Sequence, residues 1–322
     1  MSKFKFDMQL FAYNDKIART DVNIPEEVSK EILQDIPKAS LMMQLMRKLP
    51  NMARGVAKLP VLSTLPNAYF VNPTDTGHKQ TTKQAWENVS ITAEEIACIV
   101  PIPEAVLDDA DYDIWGEVKP RIVEAFGALF DAAVMFGTNK PASWPNGIVT
   151  QAIAAGHTVT IGTGDDIADD IGGDGGVMSL IEADGFSVNG FAAASTVKAK
   201  LRGLRASTGE LIFQPSLQAG TPSTLYGSPI VYDENGAWND AVALMVAGDF
   251  RQALYAIRQD MTYKILDQAV ITDADGVIQY NLAQQDMVAL RCVMRLGWVL
   301  PNPVTRKNTN KATRCAFGVL AP

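Results

Sequence analysis

Four aspartates lie close together in the stretch IPEAVLDDADYDIW. Asp109, Asp111 and Asp113 have the spacing of the first three ligands of a calcium-binding loop, in which carboxylate oxygens surround the ion. Such a loop needs glycine at its sixth position and a bidentate glutamate at its twelfth. Those positions are Ile114 and Pro120. Both requirements fail, so the spacing alone does not predict a calcium site.

The rest of the chain offers little catalytic or ligand-binding chemistry. His78 and His157 cannot supply a histidine-based metal centre, and the common hydrolase, phosphate-loop and thiol motifs do not occur. In IGTGDDIADDIGGDGG, glycine leaves nothing to hold the five aspartates in place, so we predict a flexible, solvated segment. We expect no cofactor, no metal and no enzymatic activity. A metal-dependent α/β hydrolase using Asp108 to Asp113 stays open as a remote alternative.

The composition is that of a globular protein. The chain has 322 residues, of which 47% are hydrophobic and 20% charged, enough for two compact units or one elongated fold. It has no signal-peptide pattern at its start and no apolar run of about 18 residues, so we expect a soluble protein made in a cytoplasm, with no membrane partner. We predict that Cys98, Cys292 and Cys315 are buried thiols in a reducing compartment.

Charge is segregated along the chain. Residues 100–186 hold fifteen acidic residues against three basic ones. Residues 38–58 hold five basic residues and residues 287–322 hold six, with no acid in either range. Two interpretations are open: these are solvated faces, or copies of the chain meet with the acidic middle against the basic end.

Periodicity predicts a long helix over about 113–137. Asp113 can cap it, the preceding aspartates favour the positive end of its dipole, and Gly137 can end it. We expect a kink near Pro120. The apolar face would contain Ile122, Phe126, Leu129, Ala133 and Phe136.

Residues 56–100 have the pattern of a long β-hairpin. Its tip, PTDTGHKQTTKQ, has no apolar residue in twelve. Short hairpin turns are the commonest, so this tip is either disordered or lies on something outside its own subunit.

Other strand and helix signals are shorter, with one exception. MVALRCVMRLGWVL alternates over about 13 residues, with Arg291 and Arg295 on the face opposite the apolar one. We also predict a helix from Leu41 to Leu49. A further helix is expected over STVKAKLRGLRASTG with Ser195 as its N-cap, and strands over SPIVYDE, ALMVAGDF, ALYAIRQ and TYKILD.

The order of these elements resembles the major capsid proteins of tailed bacteriophages, the Hong Kong 97-type fold, over nearly the whole chain. Each matching stretch is loose, but six occur in the right order and at the right distances. They are IPEEVSKEILQDIPKASLM; VSITAEEIACIVPIPEAVLDDADYDIW with FGTNKPASWPNGIV; LRASTGELIFQP with STLYGSPIVYDE; AVALMVAGDFRQALYAIRQDM; LRCVMRLGWVLPNP; and AFGVLAP.

The resemblance implies an α+β fold with four parts. Residues 1–50 would be an N-terminal arm and residues 51–97 an extended β-hairpin loop. Residues 98–150 and 245–322 would form a peripheral domain, with the long helix at about 113–137 as its spine helix. Residues 151–244 would form an axial domain.

The resemblance also implies a function. Such proteins self-assemble into hexamers and pentamers of an icosahedral shell around double-stranded DNA, in a virion assembled in the cytoplasm of a bacterial host. The expected partners are further copies of the chain, a portal, non-specifically bound DNA, a separate scaffolding protein if any is used, and decoration proteins as an open option. The family's cleaved scaffolding segment is expected to be absent because the arm begins close to Met1. An encapsulin-type compartment shell is the alternative.

The same resemblance suggests which residues contact neighbouring subunits. In the family the extended loop lies across the next subunit, and some members join a loop lysine to an asparagine by an isopeptide bond. Lys79 and Lys83 are suitably placed, but no glutamate follows Glu234 to assist the reaction, so we expect no crosslink. The predicted intersubunit contacts are His78, Lys79, Lys83, Trp86, Asp108, Asp109, Arg47 and Lys48.

Overall fold

The computed structural model describes residues 40–70, 79, 81–105, 114–204, 223–273 and 275–322. Over these ranges the chain mixes helices and strands in an α+β fold, as the sequence predicts. His78, Asp108, Asp109 and most of the polar hairpin tip lie outside the described residues. The chain divides into two compact units: one contains Glu95–Phe126 and Gln259–Leu296, and the other contains Pro37–Glu94, Gly127–Arg258 and Gly297–Pro322.

The helices and strands have the following bounds. The helices are α1 (Leu41–Leu45), α2 (Ile114–Met135), α3 (Ile148–Ala155), α4 (Ile167–Gly172), α5 (Val177–Ala183) and α6 (Val197–Arg202). The strands are β1 (Arg47–Lys48), β2 (Val56–Thr64), β3 (Ala85–Thr92), β4 (Glu94–Pro103), β5 (Thr158–Thr160), β6 (Gly190–Ala193), β7 (Thr224–Leu225), β8 (Ser228–Tyr232), β9 (Met245–Gly248), β10 (Leu254–Leu266), β11 (Val270–Thr272), β12 (Ile278–Asn281), β13 (Met287–Val299) and β14 (Phe317–Ala321).

Helix α2 is the long helix that the sequence predicts, and it continues through Pro120. Gly137 follows its end with a φ of 73°, a conformation in which glycine avoids the strain of a Cβ atom. Phe126 and Phe130 are buried, whereas Leu129 is 40% exposed. The prediction that Leu129 lies on the buried face of the helix is therefore wrong. The buried stripe runs through Phe126 and Phe130 instead.

A six-stranded sheet forms the core of the second unit, in the order β5-β14-β9-β6-β8-β7. All residues of β6 and β9 are buried, as expected for strands covered on both faces. Gly318 in β14 lies against Val177 of α5, where an added Cβ would be 2.8 Å from the valine side chain. Helix α5 therefore packs directly on this sheet.

The glycine- and aspartate-rich segment contains helix α4, so the prediction that it has no fixed structure is wrong, although residues such as Asp165 and Asp174 are exposed to solvent as expected. Asp166 caps α4 by accepting hydrogen bonds from the backbone N–H groups of Ala168 and Asp169, at 2.8 and 3.0 Å. Asp170 is buried and accepts from the N–H groups of Gly162 and Gly164, both at 2.7 Å. Backbone donors therefore hold the carboxylates that glycine was expected to leave free.

Two helix predictions also need correction. Helix α1 ends at Leu45, before the expected Leu49, and the chain continues as strand β1. Helix α6 covers only Val197–Arg202 and begins after Thr196 rather than at a Ser195 cap. No side-chain hydrogen bond caps that end of the helix, so the prediction of Ser195 as its N-cap is wrong.

Strands β1, β10, β13 and β4 are neighbours, in that order, in a second sheet. The thirteen-residue strand predicted from MVALRCVMRLGWVL is confirmed as β13. Arg291 is exposed and Arg295 partly exposed, but the other positions of both faces are buried. Alternation therefore identified the strand and its two polar positions, while Val293 on the arginine face is covered as well.

Candidate assembly surface

The hairpin of β2 and β3 has one packed face and one exposed face. The strands pair antiparallel, with Leu59 opposite Val89 and Leu62 opposite Trp86. Successive side chains alternate between faces, so these two pairs lie on opposite sides. Leu59 and Val89 pack against a buried cluster that includes Ile91. The outer face also carries Lys58, Asn88 and Ser90. Trp86 is its largest apolar side chain and is 64% exposed, so it has no full cover within the described chain.

The C-terminal segment anchors the hairpin. The Lys311 ammonium forms an ion pair with the Glu87 carboxylate at 2.9 Å, and both side chains are largely exposed. The Val304 N–H donates to the Leu62 carbonyl at 3.2 Å. Arg306 donates to the carbonyl of Pro66 at 3.0 Å. These contacts hold the end of the paired strands that leads into the hairpin tip, and they leave the outer face open.

A close backbone contact holds the other end of the hairpin, its base, where Val56 pairs with Thr92. An added Cβ at Gly297 would lie 2.3 Å from the Thr92 carbonyl oxygen, so a side chain cannot fit there without backbone movement. The Trp144 indole N–H donates to the same carbonyl at 3.1 Å. Strand β3 is thereby held at its C-terminal end by two neighbours.

A buried carboxylate, Asp184, positions the anchoring segment. It accepts hydrogen bonds from the Asn308 amide at 2.6 Å and from the Cys315 N–H at 2.8 Å. The His157 Nε2 lies 3.2 Å from Asp184 Oδ2, and the other ring nitrogen lies 3.1 Å from the Phe317 carbonyl oxygen. His157 is therefore a buried structural residue, and Asp184 determines the path of the chain around Lys311.

A second buried carboxylate, Asp131 of α2, fixes the chain just before β1. It accepts from the Ser40 hydroxyl at 2.6 Å and from the N–H groups of Leu41 and Met42 at 2.8 and 3.0 Å. The Asn235 amide donates to it at 2.8 Å. Burial raises the pKa of Asp131 to about 6, although these hydrogen bonds act to lower it.

The basic strand β1 follows directly from this contact. It lies at the edge of its sheet and pairs in parallel with β10, Arg47 beside Leu254 and Lys48 beside Tyr255. Both side chains are exposed. Exposed charge on an edge strand discourages non-specific strand pairing, and it leaves both cations available to an acidic partner.

The structure thus brings only some of the predicted contact residues together. Lys83 and Trp86 lie close in sequence at the start of β3, and Lys79 is also exposed. Arg47 and Lys48 belong to a separate strand. Sequence reasoning missed Glu87, Lys311, Asp131 and Asp184; the one visible signal was an aspartate within the apolar stretch GALFDAAVMF.

Ligand and membrane features are absent from the ranges that the structure describes. There, no cluster of three or more histidine, cysteine, aspartate or glutamate side chains could hold a metal ion. No helix in those ranges combines the length and apolarity needed to cross a membrane.

Comparison with known proteins gives one consistent result. Residues 20–304 match the phage capsid family. The major capsid protein of Staphylococcus phage 80alpha is 29% identical over 315 residues, covering 92% of this chain and 90% of that protein. A solved structure from Microbacterium phage Oxtober96 is 35% identical with a TM-score of 0.76, covering 88% and 91% of the two chains. One from Mycobacterium phage Adephagia is 28% identical, also with a TM-score of 0.76, covering 100% and 95%.

Proposed function

Because the chain belongs to the phage capsid family, we propose that this major capsid protein assembles into the hexamers and pentamers of an icosahedral shell around double-stranded DNA. Self-association follows from the family, whose members make multimeric shells. The virion capsid is then its location, reached by assembly in the cytoplasm of a bacterial host. The role is structural rather than catalytic.

Four parts of the chain serve this role in the proposal. Residues 1–50 act as the N-terminal arm, residues 51–97 as the extended loop, residues 98–150 and 245–322 as the peripheral domain, and residues 151–244 as the axial domain. The antiparallel pairing of β2 with β3 and the length of α2 support this division.

The exposed outer face of the β2–β3 hairpin is the observation that supports assembly best. Large aromatic side chains are strongly enriched at the buried centre of protein interfaces. Trp86 is 64% exposed and Phe70, six residues beyond β2, is fully exposed. In the proposal a neighbouring subunit covers this face, and the hairpin anchors at Glu87 and Leu62 keep it in position.

Charged residues then set the register between subunits. Lys79 and Lys83 on the hairpin, with Arg47 and Lys48 on β1, are the cationic contacts. Their partners are acidic residues of the neighbour, with Asp108 and Asp109 as the proposed ones and His78 as an additional contact. Complementary charge favours correct encounter more than affinity, which suits a shell built from many repeated weak contacts.

Other partners follow from the same role. A separate scaffolding protein and a portal would direct assembly, decoration proteins remain an option, and packaged DNA would bind through its phosphates without sequence preference. The comparisons favour a phage capsid protein over an encapsulin-type compartment shell.

Replacing Trp86 tests the proposal. Trp86→Ala should leave the melting midpoint of the unassembled chain almost unchanged, because the side chain is mostly in water, yet reduce the yield of shells about tenfold. Yield is measured by sedimentation and electron microscopy under conditions in which the wild-type chain assembles. Trp86→Phe should restore much of it.

Ile153→Ala is the control, since Ile153 is an exposed apolar residue outside the hairpin, on α3. It should assemble normally. If the folded Trp86→Ala variant gave the same yield of shells as the wild type, this would contradict the proposal that a neighbouring subunit covers the hairpin face.

A further inference from the structure

Two cysteines outside the proposed assembly contacts lie on neighbouring strands of one sheet. Cys98 belongs to β4 and Cys292 to β13, and these strands are hydrogen-bonded neighbours. Both cysteines are free. Burial raises the pKa of Tyr263, on β10 at the other side of β13, and the two nearby sulfur groups raise it further.

The two thiols differ in exposure. Cys98 is partly exposed, whereas Cys292 is fully buried. The hydrogen bond from Cys292 lowers the pKa of Cys98, and the same bond together with burial raises the pKa of Cys292. A thiolate is the reactive form of cysteine. Cys98 has the lowered pKa and the greater exposure of the two cysteines, so it should react first.

We propose that Cys98 and Cys292 form an oxidation site that closes to a disulfide between β4 and β13 when a hydroperoxide is supplied. The Glu104 N–H donates to the Asp286 carbonyl at 3.2 Å and Arg295 pairs with Glu95 at 2.7 Å, so β4 and β13 run antiparallel in a register that places Cys98 opposite Cys292. Opposed residues on neighbouring antiparallel strands have Cα atoms roughly 4.5–5.5 Å apart, which lies inside the range of roughly 4.4–6.8 Å found for disulfides. The bond can therefore form within the sheet, with side-chain rotation instead of strand separation.

The chemistry balances with the hydroperoxide as the oxidant. The Cys98 thiolate attacks one peroxide oxygen, the O–O bond breaks, and Cys98 becomes a sulfenic acid. The other oxygen leaves as an alkoxide or hydroxide, which takes up the proton that the Cys98 thiol released and becomes an alcohol or water. The Cys292 sulfur then attacks the Cys98 sulfur, and the S–O bond breaks. The departing hydroxide takes the Cys292 proton and leaves as water.

Cys315 is a natural internal control. It lies two residues before β14, in the other unit, and is buried. Burial raises the pKa of its thiol to about 11. In the described part of the chain, the groups that act on its thiol are Asp184, Ala316 and Phe317 and no other cysteine, so it has no neighbouring thiol with which to form a disulfide. A reagent that simply attacked every cysteine would not distinguish these sites.

The test uses the full chain treated with hydrogen peroxide, then trapped with an alkylating agent, digested and analysed by mass spectrometry. We expect a linked Cys98–Cys292 peptide pair, lighter by two hydrogen atoms than the free peptides, with Cys315 alkylated only after denaturation. Oxidation of Cys98 should be at least about tenfold faster than that of Cys315. The melting midpoint should rise by roughly 5 °C and fall again on reduction.

Variants separate the roles of the two sulfurs. Cys315→Ser should behave as the wild type. Cys98→Ser should leave Cys292 reduced, and Cys292→Ser should stop at the sulfenic acid or proceed to sulfinic acid at Cys98. If a variant fails to fold, peptide mapping of the wild type still decides.

Two outcomes would overturn the inference: oxidation of Cys98 to sulfinic acid in the wild type without a link to Cys292, or a link between Cys98 residues of different copies. The readout is thiol chemistry within one chain, so it does not depend on whether that chain forms shells.

Discussion

The buried carboxylates find their hydrogen-bond partners within the chain, whereas the exposed hairpin leaves large side chains in contact with solvent. Asp184 and Asp131 are each surrounded by hydrogen-bond donors from distant parts of the same chain. On the hairpin, Trp86 remains 64% exposed and the Glu87–Lys311 pair lies in solvent. The first region is complete within one chain, whereas the second leaves its large side chains in water, and we propose that a neighbouring subunit covers it.

This difference separates folding from assembly. Removing a buried carboxylate leaves its hydrogen-bond donors unpaired and away from water, so it should lower the unfolding free energy strongly. Exposed charged groups gain little free energy by pairing because water already solvates them, so replacing them should leave the fold intact. The expected losses of unfolding free energy should therefore fall in order from Asp184 to Asp131 to Lys311.

Asp184→Ala should have the largest effect. It removes the acceptor for Asn308 and for the Cys315 N–H and leaves His157 beside an empty site. We expect a loss of about 3–5 kcal/mol in unfolding free energy, measured by denaturant unfolding. Asp174→Ala, at an exposed aspartate of the same unit, should change it by less than about 0.5 kcal/mol. Equal effects at both positions would break the contrast.

Asp131 should make stability depend on pH. Its pKa of about 6 in the folded chain lies above the ordinary value of 3.8 because of burial. The protonated folded form is therefore favoured: this contribution is fully present below about pH 4 and is lost as the pH rises through about 6, by up to about 3 kcal/mol.

Asp131→Asn provides the reference because an amide does not titrate in this range. The unfolding free energy of the wild type minus that of Asp131→Asn should decrease by about 3 kcal/mol from about pH 4 to pH 7. Other carboxylates titrate in both proteins and largely cancel. A difference that stays constant with pH would show that Asp131 is not held as the buried contacts require.

Lys311→Ala should have the smallest effect. It removes one exposed ion pair to Glu87, so we expect a loss of less than about 1 kcal/mol that shrinks with added salt. A double-mutant cycle with Glu87→Ala measures the pair itself. A coupling above about 2 kcal/mol would mean that the contact between Lys311 and Glu87 is a buried centre like the one around Asp184.

Much of the fold could be predicted from the sequence. Period and end signals identified α2, and alternation identified β13 over its full thirteen residues. Leu129 shows the limit: a helical period indicates a stripe, but the neighbouring elements decide which edge of it is buried. The order of the stretches indicated the family, since order and distance constrain the fold more tightly than any one motif.

The buried polar sites could not be predicted. Asp170 depends on N–H groups of Gly162 and Gly164 that point at it only after the segment has folded, so composition alone indicated a flexible, solvated segment. Asp184 meets Asn308 and Cys315 across more than a hundred residues of sequence. No local pattern records such contacts, because their energy arises from desolvation in the folded state.

The close approach at Gly297 has a genetic consequence. Every amino acid reached from a glycine codon by one base change carries a Cβ atom, and at this position that atom would meet the Thr92 carbonyl oxygen at 2.3 Å. Viable phage lineages should therefore keep glycine at this position, whereas a change of side chain at the exposed Trp86 meets no such backbone clash.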